Sequence, residues 1–246
     1  MTNDRPVMLI SDIHTKYQVI NQQIAHAEAS LGSPLEQVFV LGDFGFFGDP
    51  MRTFFRRKKQ RFSRPMNCIE GNHEDHGVLE DLAIEFGDVV NLVGRGQLHD
   101  LGPRKALCLG GARYMDAAAT PRGSEISDRD IENCLAHPAN GVDVLLTHDC
   151  PPGIGVLGAS GHDHYGPTGV QGMERLAEKY RPRWWFFGHH HRWFDQVSNG
   201  TRYVGLPQSW LGYVLLDGPG NVTLVENHIP LNPVGRWARW LKPGQW

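Results

Sequence analysis

The sequence predicts an α/β protein: a four-layer sandwich of two mixed β-sheets with helices on the outer faces. Two patterns predict it. Up to about position 190, short apolar runs alternate with longer amphipathic stretches, as in successive βαβ units. Beyond that point the chain turns to short strands paired around turn signals, which reads as antiparallel hairpins. Two packed sheets accommodate both patterns. The 246 residues are 40% hydrophobic and 21% charged, enough to bury a sizeable core. With no repeat and no low-complexity linker, a single domain over residues 1–246 is expected, residues 1–6 forming a flexible lead.

The apolar runs are 7–10, 38–41, 66–69, 106–109, 142–146 and 184–187. Helices are expected at 18–30, 52–61, 128–135 and 170–179. Gly32 is placed to stop the first helix, and Ser127 to cap the third. The hairpins are 193–197 with 201–205, around Ser198-Asn199-Gly200, and 213–216 with 222–225, around Asp217-Gly218-Pro219-Gly220-Asn221. A net charge of −3 argues against general attraction to nucleic acid or anionic membranes. No apolar run approaches the length of a membrane span. Residues 1–6 hold no apolar segment, and the four cysteines show no C-x-x-C spacing, so a cytoplasmic, reduced protein is expected.

Chemistry gathers where the strands end. The runs are followed by Ser11-Asp12-Ile13-His14, Gly42-Asp43, Glu70-Gly71-Asn72-His73-Glu74, Thr147-His148-Asp149 and Gly188-His189-His190-His191; only 106–109 leads instead into Gly110-Gly111-Ala112-Arg113. Asp12, Asp43 and Asn72 are 31 and 29 residues apart, one βαβ unit each. Parallel strands joined by right-handed crossovers bring their carboxyl ends to one edge, so these groups are expected to converge in one crevice. A crowd of carboxylate, amide and imidazole groups is stabilised by cations. The mixed oxygen and nitrogen donors, without thiolate, suit Mn²⁺, Fe²⁺, Ni²⁺ or catalytic Zn²⁺ better than a structural zinc.

In this order the blocks Asp12-Ile13-His14, Gly42-Asp43, Gly71-Asn72-His73-Glu74, His148 and Gly188-His189-His190-His191 resemble the calcineurin-like metallophosphoesterase superfamily, in its small bacterial and phage-type branch. The resemblance spans residues 7–191. It implies two divalent metal ions, manganese first among the choices. Asp12, His14 and His191 would hold one, Asn72, His148 and His189 the other, with Asp43 bridging. It further implies hydrolysis of a phosphate mono- or diester by a metal-bridging hydroxide, with His73 as general acid. The substrate would be a nucleotide, another small ester or a nucleic acid.

The resemblance also has gaps. Protein phosphatases of this superfamily continue as Gly-Asp-x-Val-Asp-Arg-Gly, whereas here the stretch is Gly42-Asp43-Phe44-Gly45-Phe46-Phe47, which argues against a protein phosphatase. A non-catalytic scaffold on the same fold, like the retromer subunit, is one alternative, and a nuclease or RNA-processing diesterase another. The nuclease reading rests on Arg52, Arg56, Arg57, Lys58, Lys59, Arg61 and Arg64, with no acid among them, although a solvated helix face is preferred. Arg113 follows a strand end and is weighed equally as a phosphate contact and as a surface arginine. Asp75 and His76 read either as support for the metal loop or as the start of a helix. His162 and His164, in the Gly-rich stretch 151–169, read as an exposed loop more than a lid. Trp237, Trp240 and Leu241 read as a helix docking on the body.

Overall fold

The computed structural model describes residues 5–158, 165–218 and 220–231. The first sheet holds strands β1 (Val7–Ile10), β2 (Gln37–Leu41), β3 (Met66–Ile69) and β4 (Asn91–Leu92), all parallel, followed on the β1 side by β11 (Gly212–Asp217) and β12 (Asn221–Glu226), antiparallel. The second sheet runs β5 (Leu98–Leu101), β6 (Arg104–Leu109), β7 (Val144–Thr147), β8 (Trp184–Phe187), β10 (Thr201–Gly205) and β9 (Phe194–Ser198). Its centre, β6-β7-β8-β10, is parallel, and its two edge strands are antiparallel. The two mixed six-stranded sheets are flanked by helices, the calcineurin-like sandwich. The hairpins do not form a sheet of their own; one extends each sheet.

The period of two in the strands builds the layers. Val7, Leu9, Phe39, Leu41 and Ile69 of the first sheet face Ala106, Cys108, Val144, Leu146 and Phe186 of the second. Met8, Ile10, Val38, Val40 and Cys68 turn the other way, onto α1 (Gln18–Leu31), Phe55 and Leu82. Leu107, Leu109, Leu145, Trp185 and Phe187 turn onto Ile131 and Cys134 of α4 (Asp128–Leu135) and Leu176 and Tyr180 of α5 (Glu174–Tyr180). Burial on both faces explains the unbroken apolar runs.

Gly32 ends α1 in the left-handed conformation, and Ser127 caps α4 in a reciprocal capping box with Asp130, as expected. Three elements differ from the sequence reading. The helix expected at 52–61 begins earlier, as α2 (Gly48–Met51), because Pro50 needs no N–H donor in a first turn; it continues as a π-turn over Arg52–Arg57. The helix expected at 170–179 starts only at Glu174, since Gly172 is left-handed. The strand expected at 142–146 is Val144–Thr147. The sequence reading overlooked β4 and β5, which are short and half exposed and so carry little periodic signal, and gave the helix after the Asn72 loop, α3 (Leu79–Glu85), no bounds.

Where the sheets' carboxyl ends meet, the approach is close. Gly42 follows β2 at φ +88°, and a Cβ there would overlap the His148 imidazole reaching over from the second sheet. A Gly42→Ala variant therefore suffers both an unfavourable backbone region and overpacking, a loss of about 3 kcal/mol. Urea unfolding measures this, and a loss under about 1 kcal/mol would contradict the packing.

Candidate metal centre

The loops after β1, β2, β3, β7 and β8 converge. The first two run side by side: Asp12 N–H donates to the Gly42 carbonyl (3.2 Å), His14 N–H to Asp43 (2.8 Å) and Thr15 N–H to Phe44 (3.3 Å). From the second sheet, His189 N–H donates to Asp12 Oδ2 (3.1 Å). Nine described non-glycine residues have positive φ, and six of them are Asp12, His14, Thr15, Asp43, His189 and His191. Asp and His tolerate this region better than most, but each such residue still costs of order 1–3 kcal/mol. The strain is concentrated where the side chains must be aimed inward.

Two carboxylate oxygens carry the clearest signal. Asp12 and Asp43 are fully buried, and neither Asp12 Oδ1 nor Asp43 Oδ2 has a hydrogen-bond partner. His191 Nε2 lies 3.1 Å from Asp12 Oδ1, near enough to attract but not aligned to donate. His14 Nε2 is 3.8 Å from Asp43 Oδ2 and 3.1 Å from His191 Nε2. Asp12, His14, Asp43 and His191 thus offer ligand atoms all within 4.8 Å of one another.

A second acceptor cluster adjoins it. His148 Nδ1 is 2.7 Å from the Leu41 carbonyl, which can only accept, so Nδ1 carries a proton and Nε2, in the neutral ring, a lone pair. That lone pair faces Asn72 Oδ1 at 3.0 Å and Asp43 Oδ1 at 3.4 Å. The Asn72 amide is oriented by donating Nδ2 to the Ala119 carbonyl (2.6 Å), which leaves Oδ1 as the inward atom. With the ring neutral these are three acceptors aimed at one another, which repel unless a cation lies among them; with no cation there, a protonated ring donates from Nε2 instead. The ring of His189 packs edge-on to His148 with centroids 5.1 Å apart. Asp43, with one oxygen toward each cluster, sits where a bridging ligand belongs.

The electrostatics are those of a metal-free centre. Burial opposes ionisation of Asp12 and Asp43, yet the surrounding histidines hold both carboxyls below the usual range. Burial lowers His14, and takes His189 down to about 3 against the pull of Asp149. For His191, burial is outweighed by Asp12 and the basicity rises. The residues expected at the centre lie close together, and the Asp12, His14, Asp43 and His191 donors fit a metal ion. His73 joins them: its N–H donates to Asp43 Oδ1 (2.8 Å), and its ring lies 5.5 Å from that of His14, lining the cavity.

Several supporting residues went unassigned in the sequence. Glu74 is buried and accepts N–H bonds from Phe44, Gly45 and Phe46 (2.9, 2.9 and 2.5 Å), tying the Asp43 loop to its own. Burial and Asp43 push its carboxyl up, against these backbone donors. Asp149 accepts from His190 Nε2 (3.0 Å) and from the N–H groups of Arg113 and Cys150, and stays well below the usual range. Asp149, Cys150 and His190 form a second group close enough to ligate. The signal for Glu74 and Asp149 was adjacency to His73 and His148. His76 donates Nε2–H to the Gly71 carbonyl (3.0 Å), and Asp75 N–H bonds Phe46, so both support the loop; the helix starts later, at Leu79.

Four of the seven cations in the basic stretch share three acids: Arg52 pairs with Glu85, Arg56 and Arg61 with Asp88, and Arg64 with Glu28. The acids come from other elements, which the local sequence could not show. Arg113 reaches the cavity. His162, His164 and the Trp237, Trp240 and Leu241 set lie outside the described residues.

A family model for calcineurin-like phosphoesterases matches residues 5–193. No curated protein matches the chain in sequence. Among solved structures, TT1561 of Thermus thermophilus aligns with a TM-score of 0.60 at 12% identity, covering 91% of this chain and 99% of its own. GAP50, the anchor in the inner membrane complex of Plasmodium, aligns at 0.58 and 10% identity, over 90% and 84%. The phosphopantetheinyl hydrolase PptH from Mycobacterium tuberculosis aligns at 0.51 and 14% identity, over 85% and 93%. At such identities the structural likeness speaks for the fold alone. The family match covers most of the described chain and every converging loop, and on that ground the chain belongs to the calcineurin-like phosphoesterase family.

Proposed function

We propose that the chain hydrolyses a phosphate mono- or diester at a centre of two divalent cations, manganese by preference. One cation is held by Asp12, His14 and His191, the other by Asn72, His148 and His189, with Asp43 shared. The observation that carries this reading is the pair of buried, unpartnered oxygens, Asp12 Oδ1 and Asp43 Oδ2, beside the lone pair of His148. Bound divalent cations supply charge neutralisation for phosphate oxygens and an acidified water near neutral pH. The chain does the rest. Asp43 fixes the spacing of the two donor clusters, and the His148–Leu41 bond fixes which imidazole nitrogen faces inward. His73 lines the cavity beside His14 and serves as general acid, passing a proton to the leaving oxygen as the phosphorus–oxygen bond breaks.

The donor set separates this reading from its rivals. A non-catalytic scaffold has no need of seven convergent donors with a histidine beside them. A polynucleotide track over positions 52–64 loses support because four of those seven cations are already paired. The four cysteines are free and buried, in keeping with the reducing cytoplasm. No helix among the described residues is long and apolar enough to cross a membrane.

Purified protein loaded with Mn²⁺ should bind about two equivalents by elemental analysis and hydrolyse p-nitrophenyl phosphate or its bis ester. Asp43→Asn should lower both occupancy and turnover, the latter about 100-fold or more; full occupancy with full turnover would refute the bridge. For His73→Gln, kcat should drop about 100-fold on an alkyl phosphate and much less on p-nitrophenyl phosphate, whose leaving group needs no proton. Equal losses would remove the acid role.

The metal-free protein should lose stability on acidification. His189 titrates near 3 when folded and near 6.5 when unfolded, so below 6.5 the unfolded state takes up the proton first. The contribution is full above that pH and declines by about 1.4 kcal/mol per unit down to about pH 3. Thermal melts between pH 7 and 4 with a chelator test this, and a flat or rising midpoint would contradict it.

A further inference from the structure

A half-buried guanidinium gives up part of its hydration and is normally repaid by a carboxylate or another anion. Six described arginines are half-buried. Four have their acid: Arg56 pairs with Asp88, Arg64 with Glu28, Arg95 with Glu70 and Asp130, and Arg202 with Asp195. The other two, Arg113 and Arg192, are the two arginines that line the cavity over the candidate metal centre. Arg113 Nη1 donates to the Pro167 carbonyl, and Arg192 Nε to the His190 carbonyl at 3.3 Å. Among the described residues neither guanidinium meets a carboxylate, so each keeps most of its five N–H donors for something else.

Their placement is fixed by the sheet. Arg113 follows β6 and Arg192 follows β8, with β7 between them, so their strands stand about 10 Å apart. The Arg113 backbone is tied to Asp149 Oδ2 (2.9 Å), and Arg192 directly follows His191. The cavity, of about 600 Å³, is the size of a small-molecule site rather than a polymer groove. It carries the metal-donor set and two unpaired guanidiniums.

We propose that Arg113 and Arg192 bind a second anionic group of the substrate, and that the compound hydrolysed is a small ester carrying two phosphate groups. One phosphate sits at Asp43, Asn72 and the histidines, where its ester bond is cleaved; the other is held by charge-assisted bonds from the two guanidiniums. Water supplies the oxygen that joins the cleaved phosphorus, and the freed hydroxyl, still bearing the second phosphate, takes the proton. The inference rests on the hydrolytic reading above for its reaction, though not for its binding site.

The test pairs each bisphosphate with its monophosphate: adenosine 3′,5′-bisphosphate with adenosine 5′-monophosphate, and fructose 1,6-bisphosphate with fructose 6-phosphate. With Mn²⁺-loaded wild type, kcat/KM should favour the bisphosphate by about 30-fold in at least one pair, through KM more than kcat. In the Arg113→Gln/Arg192→Gln double variant that preference should shrink toward unity, while Arg113→Lys/Arg192→Lys should keep part of it. No preference in wild type, or one that survives in the Gln double variant, overturns the proposal. Should wild type hydrolyse no member of either pair, p-nitrophenyl phosphate and its bis ester decide the hydrolytic reading, and calorimetry decides the anion site. Adenosine 3′,5′-bisphosphate binding about tenfold or more tighter to wild type than to the Gln variant supports it, and equal binding overturns it.

Discussion

The imidazole of His148 crosses from one sheet to the other, and the site is organised around that crossing. Its Nδ1–H donates to the carbonyl of Leu41, the last residue of β2, while its own carbonyl accepts from Gly188 N–H at the end of β8. The bond locks the carboxyl ends of the two sheets together and also selects the tautomer. With Nδ1 engaged, Nε2 faces Asn72 and Asp43 as a lone pair. Gly42 is required because the ring lies against it, and Gly71 because Asp43 does. One hydrogen bond thus couples the packing of the sandwich to the protonation pattern of the centre.

The centre is costly to build. Five of the seven proposed donor residues stand in the left-handed backbone region, and two carboxylates are buried beside one another. Three apolar layers, one between the sheets and one on each outer face, supply the free energy that holds this arrangement. Backbone nests hold the loops: Glu74 gathers three successive N–H groups of the Asp43 loop, and Asp149 gathers those of Arg113 and Cys150. Glu74 acts on the donors through the backbone, whereas Asp149 also reaches the rings of His189 and His190.

Position in the fold decides what an arginine does here. In the stretch from 52 to 64, acids from α1 and the α3 region meet Arg52, Arg56, Arg61 and Arg64 in surface ion pairs, in keeping with the solvated face the sequence suggests. At the ends of β6 and β8 the same side chain, among the described residues, bonds backbone carbonyls and faces the cavity. The difference lies in what the neighbouring strands and helices bring, a property of topology and not of local composition.

Much of the site could be read from the chain because strand ends and motif spacing are local. Asp12, Asp43 and Asn72 recur at the length of a βαβ unit, and any parallel sheet built from such units brings them to one edge. The capping of α4 by Ser127 and the stop at Gly32 are equally local, since each depends on a backbone geometry set within a few residues. The weakly periodic strands β4 and β5 were not legible, because a two-residue strand and a half-exposed edge strand are held by their partners and not by their own pattern. What the sequence by itself determined was the layered fold and which residues gather at the strand ends. Tertiary structure alone decided which nitrogen of His148 points inward, which oxygens of Asp12 and Asp43 go unpartnered, and which arginines are left without an acid. Each of those depends on a contact between segments dozens of residues apart, and a chain read in order cannot show which of its distant groups will stand within 3 Å.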